Sequence, residues 1–323
     1  MSDQGYVVKR SLGQHALFRE KAPLLQHLDI ELTERCNNAC IHCCINLPEK
    51  DTQAAQRELS TEQWKDILRQ AADLGALSVR LTGGEPLLRP DFSELYLFAR
   101  RLGMKVILFT NARLITPELG ELFARVPPLK KIEVSVYGMH PASYEAVACT
   151  AGAYAEFRRG VDLLLARQIP FVVKSALLPP NKADIEAFEC WAATLPGQTM
   201  QPGYAVFLDL RKRRDLPAKN QLIESLRFTA EEGIALAARR GAAYHGEMMR
   251  FCSQFIGPPG DQLFCCGAGE SGCVDPYGIY HMCLSLRQPD SGYDLSQGSM
   301  HQALTEFFPA RRTLRAANCA YLE

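Results

Sequence analysis

Short apolar runs alternate with longer amphipathic stretches between about residue 28 and residue 210. Each run is rich in branched residues and is bounded by glycine, proline or charged residues, a pattern typical of β-strands. The predicted strands are Leu28–Leu32, Ser78–Thr82, Lys105–Phe109, Lys131–Val136, Phe171–Ala176 and Tyr204–Leu208. The amphipathic stretches between them predict helices.

The first of these helices begins at Ser60, because Gln63 three residues later completes the pattern of a capping box. The other predicted helices are Glu94–Leu102, Pro117–Ala124, Tyr154–Ala166 and Lys182–Ala193. Strands and helices that alternate at intervals of roughly 30 residues indicate βαβ units and a parallel sheet. Such units fit either a partial (βα)6 TIM-like barrel or a doubly wound open sheet. The spacing alone does not choose between the two α/β folds.

The alternation ends near residue 210. Arg211–Arg214 is a short basic run that we interpret as a solvated loop, and helices are predicted at Ala230–Arg240 and Arg311–Leu322. Between these helices, Phe255–Gly278 is rich in glycine, proline and cysteine. We therefore predict an N-terminal segment (residues 1–27), a barrel (28–210), a linking helical segment (211–260) and a cysteine-rich hairpin-plus-helix extension (261–323).

Composition excludes several classes of protein. The chain has 323 residues, of which 47% are hydrophobic, so a large core can form. The 36 basic residues equal the 36 acidic ones, which gives no argument for a nucleic-acid partner or an anionic membrane. No apolar run is long enough to span a bilayer, and the first residues lack the apolar core of a signal peptide. We expect a cytoplasmic protein.

Cysteine is the residue type that changes this picture, because twelve occur and most are clustered. One group comprises Cys36, Cys40, Cys43 and Cys44, and a second comprises Cys265, Cys266 and Cys273, with Cys283 close behind. In a reducing compartment, clustered thiols indicate metal or iron–sulfur ligands rather than disulfides. The scattered Cys149, Cys190 and Cys252 are expected to be ordinary buried residues.

The first cysteine group directly follows the first predicted strand, in the order Cys36-Asn-Asn-Ala-Cys40-Ile-His-Cys43. It therefore lies at the C-terminal end of a strand, where α/β barrels build their active sites. Three thiolates can hold one face of a cubane iron–sulfur cluster and leave one iron open for substrate chemistry. Zinc is the alternative, but zinc loops usually pair such cysteines with a second CxxC or with further histidines, and the one histidine of this loop, His42, is not favoured as a ligand.

The CxxxCxxC pattern on Cys36, Cys40 and Cys43, followed by Gly83–Pro86 at the end of the second strand, resembles the radical S-adenosylmethionine (SAM) superfamily. The resemblance covers roughly Leu28–Leu208. It implies a partial (βα)6 barrel whose three cysteines hold a 4Fe–4S cluster, with SAM chelating the open iron. It also implies that an electron from a flavodoxin- or ferredoxin-type donor cleaves SAM to a 5′-deoxyadenosyl radical, which abstracts hydrogen from the substrate.

The second motif suits cofactor binding. Gly83 and Gly84 allow the backbone to approach a ligand closely, and Glu85 offers a carboxylate to an ammonium group. Pro86 removes a competing hydrogen-bond donor. These four residues are the predicted SAM-binding motif.

The resemblance adds two further cofactor contacts and one departure. Ser135 after the fourth strand and Asn181 after the fifth correspond to positions where the family places polar groups near the nucleoside, although each residue could equally serve a turn. Cys44 stands where the family often has an aromatic residue against the adenine, so the role of Cys44 stays open.

The second cysteine group surrounds a predicted hairpin, with Pro276-Tyr277-Gly278 as its turn. It resembles the opening of SPASM and twitch extensions, in which such cysteines hold an auxiliary 4Fe–4S cluster. The candidate ligands are Cys266, Cys273, Cys283 and Cys319. Either this is a one-cluster twitch form that uses Cys319, or the chain is cut before further ligands; zinc is the alternative metal.

The resemblance favours radical modification of a ribosomally synthesised peptide or protein side chain, by crosslinking, epimerisation or oxidation. About 28 residues precede the first strand, too few for a folded leader-recognition domain, so any leader recognition would use a separate leader-peptide-binding protein or the mouth of the barrel. The alternatives are a small-molecule radical dehydrogenase or cofactor-biosynthesis enzyme, and a non-catalytic iron–sulfur or zinc protein. Spacing does not rank Tyr137, His245, Glu247 or Cys252 as catalytic side chains.

Overall fold

The computed structural model describes residues 25–199, 201–205, 208–210, 216–239, 271–287 and 289–313, together with residues 241, 245, 246, 249, 250, 253 and 315. Its strands are β1 (His27–Glu31), β2 (Arg35–Cys36), β3 (Leu47–Pro48), β4 (Ser78–Thr82), β5 (Lys105–Thr110), β6 (Leu129–Ser135), β7 (Phe171–Ala176), β8 (Gly203–Ala205), β9 (Ser271–Val274), β10 (Ile279–His281) and β11 (Gly292–Asp294). All but β2 and β3 form one nine-stranded sheet in the order β11-β10-β9-β1-β4-β5-β6-β7-β8.

Strand order decides between the two folds that the spacing left open. Strands β1 and β4 to β8 are parallel and lie side by side in chain order. A doubly wound sheet reverses its order at a switch point, whereas sequential right-handed crossovers place every helix on one face and curve the sheet towards a barrel. The predicted partial barrel is confirmed.

Helices follow the parallel strands of this sheet and the hairpin at its edge. They are α1 (Thr52–Arg57), α2 (Thr61–Asp73), α3 (Phe92–Arg101), α4 (Pro117–Arg125), α5 (Pro141–Ala148), α6 (Ala153–Ala166), α7 (Ile185–Ala193), α8 (Pro217–Ser225), α9 (Ala230–Ala238) and α10 (residues 300–312, with a π-helical turn at Ala303–Phe307). The capping box of Ser60 and Gln63 is present at the start of α2. Trp64, Tyr96 and Phe157 are among the largest fully buried side chains of the core between helices and sheet.

Some boundaries differ from the sequence predictions. The predicted strand at Tyr204–Leu208 is wrong in its bounds: β8 ends at Ala205, and residues 206 and 207 lie outside the described residues. The predicted helix at Arg311–Leu322 is described only at its start, where Arg311 and Arg312 end a helix that Ser299 caps and that begins eleven residues earlier. Residues 316–323 lie outside the described part of the chain.

Two scattered cysteines are not buried as expected. Cys149 is exposed because it occupies the left-handed C-cap position of α5, with φ of 48°. Cys190 lies on the exposed face of α7. The third, Cys252, lies outside the described residues.

The inner face of the sheet carries charge. In β7 the outward Phe171 and Val173 are buried in the core, while the intervening Lys174 is half-buried on the opposite face. Arg80 in β4 and Glu133 in β6 share this inner face, Arg80 pairing with Asp29 of β1 at 2.8 Å. A fully covered parallel strand would be apolar on both faces, so this alternation marks a polar barrel interior.

The cysteine-rich extension joins the barrel sheet. Strand β9 pairs in parallel with β1, and β10 and β11 follow as antiparallel neighbours. Gly272 is required there, because a Cβ atom would lie 2.3 Å from the ring of Tyr280, which is fully buried against Phe308. The sheet therefore crosses the domain boundary predicted at residue 260, and the four-part division of the chain stays a prediction.

A buried ion pair ties the extension to β1. The guanidinium of Arg287 lies 2.9 Å from a carboxylate oxygen of Glu31, and the two side chains are 8% and 2% exposed. Arg287 also donates to Sγ of Cys273 at 3.2 Å. No helix of the described part of the chain is both long and apolar enough to cross a membrane.

Arg287→Met should lower the free energy of unfolding by about 3–5 kcal/mol, because Glu31 would keep a buried charge without this partner. Urea unfolding of the apo-protein measures the change. Arg158→Met is the control, since the Arg158–Asp162 pair is exposed and should contribute less than about 1 kcal/mol. Equal losses in the two variants would contradict the account of the ion pair.

Candidate functional site

The Gly83–Glu85 turn after β4 lies directly on the backbone that follows β1. The amide of Gly84 donates to the carbonyl of Thr33 at 2.7 Å, and the amide of Glu85 donates to the carbonyl of Arg35 at 2.9 Å. A Cβ at Gly83, whose φ is +138°, would lie 2.3 Å from the Thr33 carbonyl oxygen, and one at Gly84 would lie 2.2 Å from that of Arg35. We call these contacts the glycine seam.

The glycine seam corrects the reason given for the two glycines. The sequence predicts a ligand against Gly83 and Gly84, whereas in the structure their missing side chains make room for the backbone of Thr33 and Arg35. Because Cys36 is the next residue, the seam sets the position of the cysteine loop relative to β4. The two motifs that the sequence keeps about forty residues apart form one structural unit.

Helix α5 holds the cysteine loop, Cys36–Cys44, from the side opposite the glycine seam. The amides of Ala39 and Ile41 donate to the carbonyls of Ala148 and Val147, at 2.9 and 3.0 Å. These carbonyls belong to the last turn of α5, which has no partners within its own helix. The amide of Cys43 closes the loop on the carbonyl of Cys40 at 3.2 Å.

Glu85 is fully buried beneath the loop. Its Oε1 accepts from the Thr110 hydroxyl at 2.9 Å and from the Leu87 amide at 3.1 Å, and its Oε2 accepts from the Asn111 amide at 2.8 Å. Burial raises the pKa of Glu85 to about 7, although these hydrogen bonds act in the other direction. With two oxygens that accept two bonds each, the carboxylate keeps capacity for one further donor.

Asn111 and Arg113, which follow β5, pin the first part of the loop. Asn111 Nδ2 donates to Asn37 Oδ1 at 2.7 Å and lies 3.9 Å from Sγ of Cys36. The Arg113 guanidinium donates to the Asn37 carbonyl and, at 2.6 Å, to Asn38 Oδ1. Glu156 of α6 holds the other side of the same guanidinium at 2.6 Å.

The three thiols of the motif share one environment. Cys40 is buried, and Cys36 and Cys43 are half-buried. Burial raises the pKa of Cys36 and of Cys40 well above the usual range, with Glu85 contributing at Cys36 and Cys43 at Cys40. Thiols in such surroundings lose their protons readily only when a cation binds them.

Tyr137 and His42 form the wall behind Cys40. The Tyr137 hydroxyl hydrogen-bonds the Cys40 thiol, and its ring centroid lies 5.6 Å from that of His42. Burial lowers the pKa of His42 to about 4, so its imidazole is neutral at physiological pH. Cys44 is half-buried and has a partner of its own.

The remaining predicted cofactor residues take different positions. Pro86 begins a 3₁₀ turn, Pro86–Leu88, capped by the Glu85 carboxylate. Ser135 ends β6 and lines a cavity on the inner face of the sheet. Asn181 is 3% exposed and bonds three backbone groups, donating to the carbonyls of Tyr137 and Ala176 and accepting from the Leu178 amide. This gives Asn181 the turn role that the sequence argument named as its alternative.

The second cysteine group is described only in part. Cys283 is half-buried after β10, whereas Cys273 is fully buried in β9 with its sulfur against Arg287. Cys265, Cys266 and Cys319 lie outside the described residues, as does Glu247, and His245 is exposed. In the described ranges, no three metal-binding side chains converge on a point suited to a single ion.

Sequence reasoning missed Arg113 and Lys174. Arg113 had a usable signal, because it stands three residues past a parallel strand end, where barrel sites are built. Lys174 interrupts the apolar run Phe171–Ala176, and a charge inside such a run indicates a residue that faces a polar interior. No sequence signal indicates that the Arg113 guanidinium bonds the cysteine loop.

Comparison with known proteins decides which family this arrangement represents. Residues 30–189, about half of the chain, match the radical SAM superfamily. They include the cysteine loop and the glycine seam together with Asn111, Arg113 and Ser135. The chain contains a radical SAM domain. Enzymes of this superfamily use a 4Fe–4S cluster and SAM.

Curated relatives share part of their length with this domain. The chain is 33% identical over 205 residues to PqqA peptide cyclase of Gluconobacter oxydans, covering 62% of this chain and 56% of the relative. It is 30% identical over 155 residues to AdoMet-dependent heme synthase of Methanosarcina barkeri, covering 48% and 43%. The chain thus spans about half the length of the curated relatives it matches.

Solved structures share the radical SAM fold over more of the chain. The anSMEcpe structure with bound AdoMet and Cp18Cys peptide has a TM-score of 0.57 at 13% identity, covering 90% of this chain and 82% of the other. Streptococcus suis SuiB bound to precursor peptide SuiA has a TM-score of 0.52 at 16% identity, covering 92% and 69%. At these identities the likeness concerns the fold.

Gly84→Ala should lower the free energy of unfolding by about 1–3 kcal/mol or more, because the new methyl group would overlap the Arg35 carbonyl. Gly233→Ala is the matched control, since a Cβ at this position in α9 meets nothing within 4 Å. The free energy of unfolding of this control should rise by about 1 kcal/mol, because alanine has a higher helix propensity than glycine. Urea unfolding measures both, and equal behaviour of the variants would contradict the glycine seam.

Glu85→Gln should change how the stability of the apo-protein depends on pH. Between about pH 4.5 and pH 7 the unfolded chain has released the Glu85 proton while the folded protein retains it. The free energy of unfolding of the wild type therefore falls as the pH rises through this interval, by up to about 3 kcal/mol. The variant lacks this component. Urea unfolding at pH 5 and pH 7 measures how much the free energy of unfolding changes in the wild type and in the variant. Identical changes in the two proteins would contradict the burial of an ionisable Glu85.

Proposed function

We propose that the protein is a radical SAM enzyme whose cysteine loop holds a 4Fe–4S cluster on Cys36, Cys40 and Cys43. The observation that carries the proposal is the glycine seam, which joins this loop to the buried Glu85. A non-catalytic iron–sulfur protein needs the thiols but has no use for a buried carboxylate beside them. When bound, SAM on the reduced cluster supplies a 5′-deoxyadenosyl radical that abstracts hydrogen from a substrate.

The described residues fit this cofactor pair. Burial raises the pKa of the Cys36 and Cys40 thiols, so these two need a bound cation to become thiolates. The three thiols of the loop do not converge on one point as the ligands of a single zinc ion would. Glu85 retains room for one donor, which suits the ammonium group of SAM. Ser135, at the end of β6, is the candidate contact for the ribose.

Modification of a peptide or protein side chain is the substrate class we propose. PqqA peptide cyclase and the peptide-bound anSMEcpe and SuiB structures support it, since each combines the related domain or fold with a peptide. A flavodoxin- or ferredoxin-type electron donor, a separate leader-peptide-binding protein and a cytoplasmic location belong to the same proposal. The described cysteines are all free thiols, as expected in a reducing compartment.

An auxiliary 4Fe–4S cluster on Cys266, Cys283 and Cys319 extends the proposal. Cys283 supports it, because it is half-buried at the end of the hairpin that joins the barrel. Cys273 is the weakest member of the predicted ligand set, since its buried sulfur already accepts a hydrogen bond from Arg287. Iron content per chain, measured with and without Cys283→Ala, tests this extension.

The heme synthase relative keeps a small-molecule substrate as a second candidate. Incubation with deuterated candidate substrates separates the two, because a true substrate transfers deuterium to 5′-deoxyadenosine. Peptides that transfer deuterium would support the first candidate, and transfer only from small molecules would support the second.

The proposed chemistry predicts that the protein, reconstituted anaerobically with iron and sulfide, forms 5′-deoxyadenosine from SAM and dithionite. Cys36→Ala and Cys43→Ala should abolish this product, because each removes one cluster ligand. Cys44→Ala is the matched control and should stay within a few-fold of wild type, since a fourth ligand would close the iron that SAM needs. An intact cluster that yields no 5′-deoxyadenosine would overturn the proposal.

A further inference from the structure

A large cavity lies on the inner face of the sheet. It has a volume of about 650 Å³ and is lined mainly by β6, β7 and β8. His42 of the cysteine loop and Ser135 stand at its edge, so the cavity reaches the proposed cofactor site. A substrate in this cavity would lie next to the place where hydrogen is abstracted.

Two lysines and one glutamate project into the cavity. Nζ of Lys131 lies 2.5 Å from Oε1 of Glu133, and Nζ of Lys174 lies 3.3 Å from Oε2 of the same carboxylate. Glu133 is thus shared between two ammonium groups and can neutralise only one. Among the described lining residues the cavity therefore carries one excess positive charge at neutral pH.

Of the two lysines, Lys174 is the one whose positive charge Glu133 balances less well, since its Nζ lies farther from that carboxylate than the Nζ of Lys131 does. Its Nζ lies 3.0 Å from the centroid of the Phe109 ring, and the Arg80 guanidinium lies 4.6 Å from the same ring. Burial lowers the pKa of Lys174 to about 8, with Arg80 and Lys131 acting in the same direction and Glu133 opposing them. A second anion in the cavity would stabilise this charge.

The position of Lys174 connects this charge with the cofactor site. Lys174 is the register partner of Ser135, the candidate ribose contact on the neighbouring strand. It lies two residues, or about 7 Å, before the C-terminal end of β7. If a group of the substrate binds Lys174, the neighbouring atoms of that substrate lie near the mouth of the barrel.

We propose that Lys174 and Lys131 bind a carboxylate of the substrate within this cavity. In a peptide the carboxylate is an acidic side chain or the chain terminus, and both offer the same chemistry. The inference rests on the proposed function, because it assigns the cavity to the substrate of the radical reaction. It makes Lys174 a specificity-determining residue.

The test uses the reconstituted holoenzyme with SAM and three probes: the N-methylamides of N-acetylglutamate and N-acetylglutamine, and N-acetylglutamine with a free C-terminal carboxylate. Calorimetry or ligand-observed NMR gives each Kd. The wild type should bind one or both carboxylate probes roughly tenfold tighter than the neutral one, as expected for a charge-assisted hydrogen bond. The tighter of the two identifies the source of the carboxylate, and no preference for either would overturn the proposal.

The carboxylate preference is the Kd of the neutral probe divided by the Kd of the carboxylate probe. Lys174→Met should reduce this ratio to about one and leave the Kd of the neutral probe unchanged. Lys182→Met is the control, because it removes the same charge from an exposed lysine that pairs with Glu232 and does not line the cavity. The control should keep the preference. Lys131→Met, expected to lose part of it, provides a second variant should Lys174→Met fold poorly. A preference retained in both cavity variants would overturn the proposal.

Formation of 5′-deoxyadenosine without substrate, measured on the same samples, separates this inference from the proposed function. Wild type and the control Lys182→Met should form it at similar rates. Product without a carboxylate preference would contradict only the carboxylate site. A carboxylate preference without product would contradict the radical SAM activity.

Discussion

The glycine seam is the constraint on which the rest of the site depends. Its two backbone hydrogen bonds require Gly83 and Gly84 to approach Thr33 and Arg35 more closely than any side chain allows. This approach sets the cysteine loop against the end of β4 and carries the Glu85 carboxylate beneath it. The thiols and the carboxylate thereby share one buried space without a direct bond between their side chains.

Electrostatics explains why such a site needs its cofactors. Burial disfavours the charged forms of Cys36, Cys40 and Glu85, so the apo-protein favours protons on groups that would have to lose them to bind the proposed cluster and the ammonium group of SAM. Arg113 and Asn111 hold the loop by its backbone and amide groups, and only Asn111 also reaches a sulfur, that of Cys36 at 3.9 Å. The loop is therefore positioned for ligation before any ligand binds, which lowers the entropy cost of binding.

Much of the fold could be predicted from local pattern. Ser78–Thr82 and Phe171–Ala176 were predicted to the residue, because a branched run between breakers defines a strand without tertiary information. The barrel could not be separated from an open sheet, since strand order is a property of the packed chain. The cysteine motif and the Gly83–Pro86 motif were visible, whereas Arg113 and the shared Glu133 depend on contacts across the barrel.

The central claim is that SAM binds the cysteine-loop cluster at the glycine seam. Electron–nuclear double resonance on the reduced holoenzyme, with SAM labelled by ¹⁵N at its amino group, tests this claim most directly. The account predicts a hyperfine coupling between the ¹⁵N nucleus and the paramagnetic cluster, present in wild type and lost in Cys36→Ala. A reduced cluster that shows no coupling to SAM in the wild type would contradict it.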